Sequence, residues 1–389
     1  MERFVYLDNN ATTEMDRRVV DILHETEGLY ANASSMHQAG QNASSAIEWA
    51  REKVASLLGA KKNEIYFTSG STEGNNTVFN IFRDLIDERK TERRKIVLSA
   101  VEHPASIETA KYLKKRGYKI ETIPVDKDGF VILEEAGKII DDDTLFVSVM
   151  TANNESGAIE PVKEIAKLAK AKGAYVHTDA TQAIGKIAVN VDDLGVDYLT
   201  LSAHKFYGPK GVGALYIRTS SPKSPYIHGG HQENGMRAGT YNTQAIVGLG
   251  KAAEIAKEEQ EEERKKLWAL REKLRKGISE KIKDVVFNSV DSYERVLPGT
   301  LDVSFLYAEG ESILLYLDLE GIAVSTGSAC ASGSLEPSYV LLATGMPVEQ
   351  AHGSIRFSFG RFNTEEDVDY VLEKLPPIIE KIRKMSTRR

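Results

Sequence analysis

Cysteine is almost absent: the 389 residues hold one thiol, Cys330. No intramolecular disulfide is therefore possible. With eight histidines beside that one cysteine, no His/Cys pair falls at ligand spacing, and a metal site is rejected. Long apolar runs are missing too, since none approaches the ~18 residues that span a bilayer. The first residues, MERFVYLDNNATTEMD, lack a cationic, apolar, cleavable leader, and the expected location is cytoplasmic. Positive charge is in deficit, with 50 Lys and Arg against 57 Asp and Glu, a net −7. That balance argues against nucleic acid or an anionic membrane as the main partner. A small molecule or another protein fits better.

What is present is ordinary for a globular chain: 41% hydrophobic and 28% charged residues. The length predicts two domains, or one large domain with an appendage. Short β-rich runs occur at Glu64–Thr68, Lys95–Ser99, Thr144–Met150, Ala174–His177, Asp197–Leu201 and Gly213–Ile217. Helical patterns such as Val162–Lys172 separate several of them. The alternation predicts an α/β fold with a largely parallel, doubly wound sheet. A charged helix over about Gln244 to Lys283 is read as the bridge to a smaller C-terminal α+β domain. That domain is expected to hold strands near Thr300–Phe305 and Ser354–Phe359 and helices near Glu311–Leu319 and Glu365–Lys384.

The strand ends carry the chemistry. The first run leads into Ser69-Gly70-Ser71-Thr72-Glu73 and then a helix. Such a turn offers free N–H groups and two hydroxyls to an anion, or it is a plain helix cap with Glu in the first turn. Other runs end at Glu102-His103-Pro104, Asn153-Asn154-Glu155, Asp179-Ala180-Thr181-Gln182 and Ser202-Ala203-His204-Lys205. Singly, His103 or Asp179 reads as a cap and Lys205 as a surface lysine. Together they imply one site, because ligands of open α/β sheets lie beyond the carboxyl ends of the strands. A phosphate cradle, an acid, a flat histidine and a strand-end lysine suit pyridoxal 5'-phosphate.

At this point the sequence resembles the NifS/IscS type of cysteine desulfurase, fold-type I pyridoxal-phosphate enzymes of aminotransferase class V. The matching stretches are YLDNNATT (6–13), FTSGSTEGN (67–75), EHP (102–104), NNE (153–155) and HTDATQ (177–182). SAHKFYGPKGVG (202–213), GGHQENGMRAGT (229–240), STGSACASGSLEPSY (325–339) and SIRFSFGR (354–361) follow. The resemblance implies a large domain with a mostly parallel seven-stranded sheet and a smaller C-terminal domain. Its expected boundaries are 1–15 for an N-terminal segment packing on the small domain, 16–255 for the large domain and 256–389 for the small one. The catalytic cysteine loop is expected at about 324–337.

Carried over by position, the resemblance implies that Lys205 links to the cofactor and later carries the proton at Cα. His103 stacks on the cofactor ring, Asp179 holds its pyridinium nitrogen and Gln182 its ring oxygen. Ser71, Thr72, Ser202 and His204 bind the phosphate, with Thr240 reaching it from the second copy of a homodimer. Asn154, which also contacts the cofactor, and Arg356 hold the substrate L-cysteine. Arg356 suits the α-carboxylate, because a planar guanidinium pairs with a carboxylate as lysine cannot. Cys330, among small polar neighbours, attacks the substrate sulfur as thiolate and keeps it as a persulfide. That sulfur then goes to an acceptor protein such as an iron–sulfur scaffold. Two positions depart from the pattern: Glu14 stands where proline is usual, and His231 replaces the third glycine of a GGG run.

Three other readings are weighed. A selenocysteine lyase has less need of a nucleophilic cysteine, and an aminotransferase needs none, so GSAC speaks against both. A catalytically silent assembly factor predicts loss of Lys205, Asp179 or Cys330, and all three are present.

Overall fold

The computed structural model describes residues 3–326 and 337–385. Cys330 and most of the expected catalytic loop lie outside the described residues. The chain opens on a two-residue strand, β1 (Val5–Tyr6). Seven strands follow: β2 (Ile65–Thr68), β3 (Lys95–Ser99), β4 (Lys119–Ile123), β5 (Thr144–Ser148), β6 (Tyr175–Asp179), β7 (Tyr198–Ser202) and β8 (Gly213–Ile217). Beyond them come β9 (Val285–Phe287), β10 (Thr300–Phe305), β11 (Ile322–Ala323) and β12 (Ser354–Ser358).

The seven strands form one sheet in the order β2-β8-β7-β6-β5-β3-β4, parallel except for β8, which runs antiparallel to both neighbours. Its central strands are buried end to end, as a sheet covered on both faces requires. Successive residues feed opposite cores. Val97, Val147, Val176 and Leu199 enter one apolar cluster. Ile96, Leu98, Phe146 and Tyr198 enter another with Phe79 and Phe82 of the helix Ser71–Asp87. There Phe82 stacks on Phe146 with centroids 4.2 Å apart. Each such buried aromatic contributes roughly 1.5–3 kcal/mol, so the helix start, and the turn before it, is held against the sheet.

A second, three-stranded sheet has β10 at its centre, antiparallel to β9 and β12. Its core gathers Leu301, Val303, Ile355 and Phe357 with Val5 and Leu7 from the start of the chain. The strand β1 pairs in parallel with β11. The helix Thr243–Lys281 serves both bodies: Ile246, Leu249 and Ala253 pack in the large core, Leu267, Leu274 and Ile278 in the small one. No described helix is long and apolar enough to cross a membrane.

The strands and helices given limits in the sequence begin and end within two residues of them. The sequence reading omits β4, an edge strand of half-polar composition and mixed exposure. It also omits the helix Gln38–Leu58, whose buried face is largely Ala, Val and Ile.

Candidate active site

One cleft of about 720 Å³ opens at the carboxyl ends of the parallel strands. Its walls include Ser71, Thr72, His103, Asn154, Asp179, Gln182, Ser202, His204, Lys205 and Arg356. These ten of the twelve expected residues come from segments far apart in sequence. Thr240 is the exception: it lies exposed on an adjoining pocket with Phe67, Glu233 and Arg237. The two hollows share Ser69 and Gly211. Cys330 is outside the described residues.

Lys205 ends the short turn after β7. Its Nζ donates to the backbone carbonyls of Asn10 and Ala11, both at 2.7 Å. Two residues on, Tyr207 takes φ +65°, unfavourable for a bulky side chain. That conformation is fixed from several sides. Its N–H donates to Thr13 Oγ1 at 2.8 Å, its hydroxyl donates to Glu263, and the Arg361 guanidinium lies 4.1 Å above its ring. The turn bearing Lys205 is therefore over-determined.

Asp179, at the end of β6, is buried, and both carboxylate oxygens are held. Oδ2 accepts from Asn75 Nδ2 at 2.7 Å, while Oδ1 accepts from the Thr181 N–H at 3.0 Å and from its hydroxyl. The acid is oriented rather than simply capping.

His103 does cap: its Nδ1 accepts from the Ala105 N–H at 3.1 Å at the start of the helix Pro104–Lys115. The remaining proton of a neutral ring therefore sits on Nε2. Burial and the Lys205 charge push the ring's pKa down, against a pull from Asp179. His204 donates or accepts at Nδ1 with Thr12 Oγ1 at 3.1 Å. Burial and the nearby cations Lys205, Lys210 and Lys186 hold it down to about 4, so it is neutral at pH 7.

Gly70 adopts φ +152°, and no side chain caps the helix it precedes. Glu73 instead accepts the Ser69 N–H at 2.9 Å and pairs with Arg237. A Cβ at Gly213 would lie 2.7 Å from Gly70 Cα, so β8 can approach this turn only because Gly213 is glycine. The first N–H groups of the helix thus stay available to an anion at the positive end of the dipole.

Arg356, from β12, is nearly fully buried. Nη1 donates to the Asn154 carbonyl at 2.9 Å and Nη2 to Asp8 Oδ1 at 2.8 Å. Its Nε and the Asn154 Oδ1 find no hydrogen-bond partner among the described residues. Two orphaned polar atoms of opposite character at the cleft suit an amino acid, which offers a carboxylate and an amine.

The donor set fits pyridoxal phosphate: an amine, an oriented carboxylate, an uncapped helix start with hydroxyls, and a neutral histidine beside them. Sequence reasoning missed Asn10 and Lys186, although Asn10 stands in the YLDNNATT stretch. Asn10 accepts from Lys205, Gln182 and Lys186 at once. No local pattern announces a contact spanning 176 residues.

The aminotransferase class-V family matches residues 5–371. A cysteine desulfurase IscS of Dictyoglomus turgidum is 49% identical over 99% of this chain and 97% of its own. A second IscS, of Methanosarcina thermophila, is 47% identical over 98% of this chain and 93% of its own. Among solved structures, a NifS-like protein superposes with a TM-score of 0.90 at 42% identity, covering 97% of this chain and all of that one. With its fold, its cleft and these similarities in agreement, the chain belongs to the aminotransferase class-V family, among the cysteine desulfurases of the NifS/IscS type.

Proposed function

We propose that the cleft is where this pyridoxal-phosphate-dependent cysteine desulfurase works, with Lys205 as its cofactor lysine and Cys330 as its sulfur acceptor. The observation that carries the reading is the convergence of Asp179 and Arg356, from two strands of different sheets, and Lys205, from the turn after a third strand, on one cleft. Lys205 would link to the cofactor, Asp179 would pair with its ring nitrogen and Gln182 with its ring oxygen. Ser71, Thr72, Ser202, His204 and the helix start would take the phosphate, and His103 would lie on the ring. Thr240 of the partner subunit would complete the phosphate site in a homodimer. When bound, pyridoxal phosphate supplies an electron sink for the pair left when a bond at Cα breaks.

The protein's own groups do the rest. Arg356 binds the substrate carboxylate and Asn154 holds the amino acid in place. The Lys205 amine, anchored by two carbonyls, moves the proton at Cα. His103, neutral and with its proton on Nε2, assists as an acid–base group. The Cys330 thiolate attacks the substrate sulfur: a new S–S bond forms, the Cβ–S bond breaks with its electron pair left on carbon, Cβ takes a proton, and alanine leaves. The sulfur remains as a persulfide and passes to an acceptor protein, such as an iron–sulfur scaffold in the cytoplasm.

The test is the absorption spectrum of the purified protein before and after cysteine, with alanine measured alongside. A visible cofactor band that shifts on cysteine while alanine accumulates supports the reading. A colourless protein that pyridoxal phosphate cannot reconstitute sinks it.

A further inference from the structure

Lys186 has no role in the reading above. It stands four residues after Gln182 and is only 6% exposed. Its Nζ donates to Gln182 Oε1 at 2.7 Å and to Asn10 Oδ1 at 2.8 Å. Both acceptors belong to the cleft wall. Burying a lysine is costly, and an apolar side chain of the same length would commonly be neutral or stabilising there. Its presence calls for a reason beyond packing.

The reason lies in the two amides. An amide side chain presents either its oxygen or its NH2 to a given neighbour, and the two ends are nearly the same shape. A charged lysine nitrogen here only donates. Whatever faces Lys186 must therefore be oxygen, which turns the NH2 of Gln182 the other way. Nε2 then gives one hydrogen to the Asn10 carbonyl at 2.8 Å and has a second for the cleft. The Asn10 side chain is fixed in the same sense, with Nδ2 donating to the Asn154 carbonyl at 3.1 Å and to Thr300 Oγ1 at 2.9 Å. The side chain so held anchors the residue whose backbone carbonyl accepts from Lys205 Nζ at 2.7 Å.

We propose that Lys186 is a positioning residue: its nitrogen locks Gln182 and Asn10 so that Gln182 presents an N–H to the cofactor's ring oxygen and Asn10 presents a carbonyl to Lys205. Burial pushes its own pKa down to about 7; Lys205 and Arg356 push the same way, and Glu263 opposes them. While the nitrogen is charged it has hydrogens and no lone pair, so the lock is strict; the neutral amine can also accept, and the lock loosens as pH rises above that value. The inference rests on the cofactor assignment above.

A double-mutant cycle on the cofactor affinity of the full chain separates this role from a merely structural one. Pyridoxal phosphate binding is titrated for wild type, Lys186→Met, Gln182→Ala and the double variant. Lys186→Met is expected to bind about 10-fold more weakly, the loss of roughly one buried hydrogen bond. In the Gln182→Ala background the same change is expected to cost clearly less, about 3-fold or under, because one of the two groups it positions is gone. Losses that multiply in the double variant, or a Lys186→Met chain within about 2-fold of wild type, overturn the proposal. Should Lys186→Met melt below the assay temperature, Lys186→Leu, which likewise has no donor, replaces it in the cycle under the same thresholds. A wild-type chain that takes up no pyridoxal phosphate overturns the cofactor assignment itself, whereas wild-type uptake with an unchanged Lys186→Met sinks only this inference.

Discussion

The Arg356 guanidinium, on the small sheet, donates to the Asn154 backbone carbonyl, beyond the end of a large-sheet strand, at 2.9 Å. The group assigned to the substrate carboxylate is thus locked to the residue assigned to its other end. Lysine in its place has one nitrogen to serve Asn154, Asp8 and the substrate together. Arg356→Lys is expected to raise KM for cysteine by roughly 10- to 100-fold, the cost of one or two charge-assisted hydrogen bonds. Steady-state kinetics check this; a KM unchanged within about twofold removes Arg356 from substrate binding.

Lys205 is the one lysine assigned a covalent link. Reduction of the holoenzyme with borohydride should fix the cofactor to the chain at that residue, and Lys205→Ala should lose the fixed adduct entirely. Peptide mapping reads the site directly. An adduct persisting in the variant requires another lysine, and Lys186 is the first to examine.

His103 should contribute to turnover more than to binding. Its Nδ1 is committed to the Ala105 N–H, so only Nε2 can exchange protons in the cleft. His103→Gln is expected to lower kcat by about 10²- to 10⁴-fold, the usual range for losing a general acid–base group. A variant as fast as wild type shows that the imidazole only caps its helix.

Glu155 yields a pH dependence of stability. Burial pushes its carboxyl up to about 8, against pulls from the Ser338 hydrogen bond and Arg356 and with a push from Asp302. Between its ordinary value of 4.5 and about 8, the folded chain holds a proton that the unfolded chain has released. The contribution is full below the ordinary value and is lost as pH rises through the folded one. Glu155→Gln stays neutral throughout, so its melting temperature should gain on wild type as pH climbs from about 5 to 8. A constant difference across that window contradicts the assignment of a neutral buried acid.

Much of the fold is legible in sequence because covered strands announce themselves. KIVLS and GALYI match β3 and β8 residue for residue, since β-branched and apolar runs fill both faces of the sheet. KIETI does not stand out, because an edge strand needs only one buried face. The site was legible where chemistry sits at strand ends: Asp179, Lys205 and His103 stand where a turn follows a strand. Asn10 and Lys186 were not, because their meaning arises only when the N-terminal segment that carries Asn10 folds against Lys186, 176 residues away. Thr240 shows the converse limit. Its motif is plain in sequence, yet within one chain it faces a different pocket.

The most direct measurement is the mass of the peptide carrying Cys330 after a single turnover with cysteine, with alanine counted in the same sample. The expected result is a gain of one sulfur atom on that peptide, in step with alanine, and neither in Cys330→Ser, which should still bind the cofactor. Alanine formed with no sulfur on Cys330 would contradict the assignment of that thiol as the acceptor.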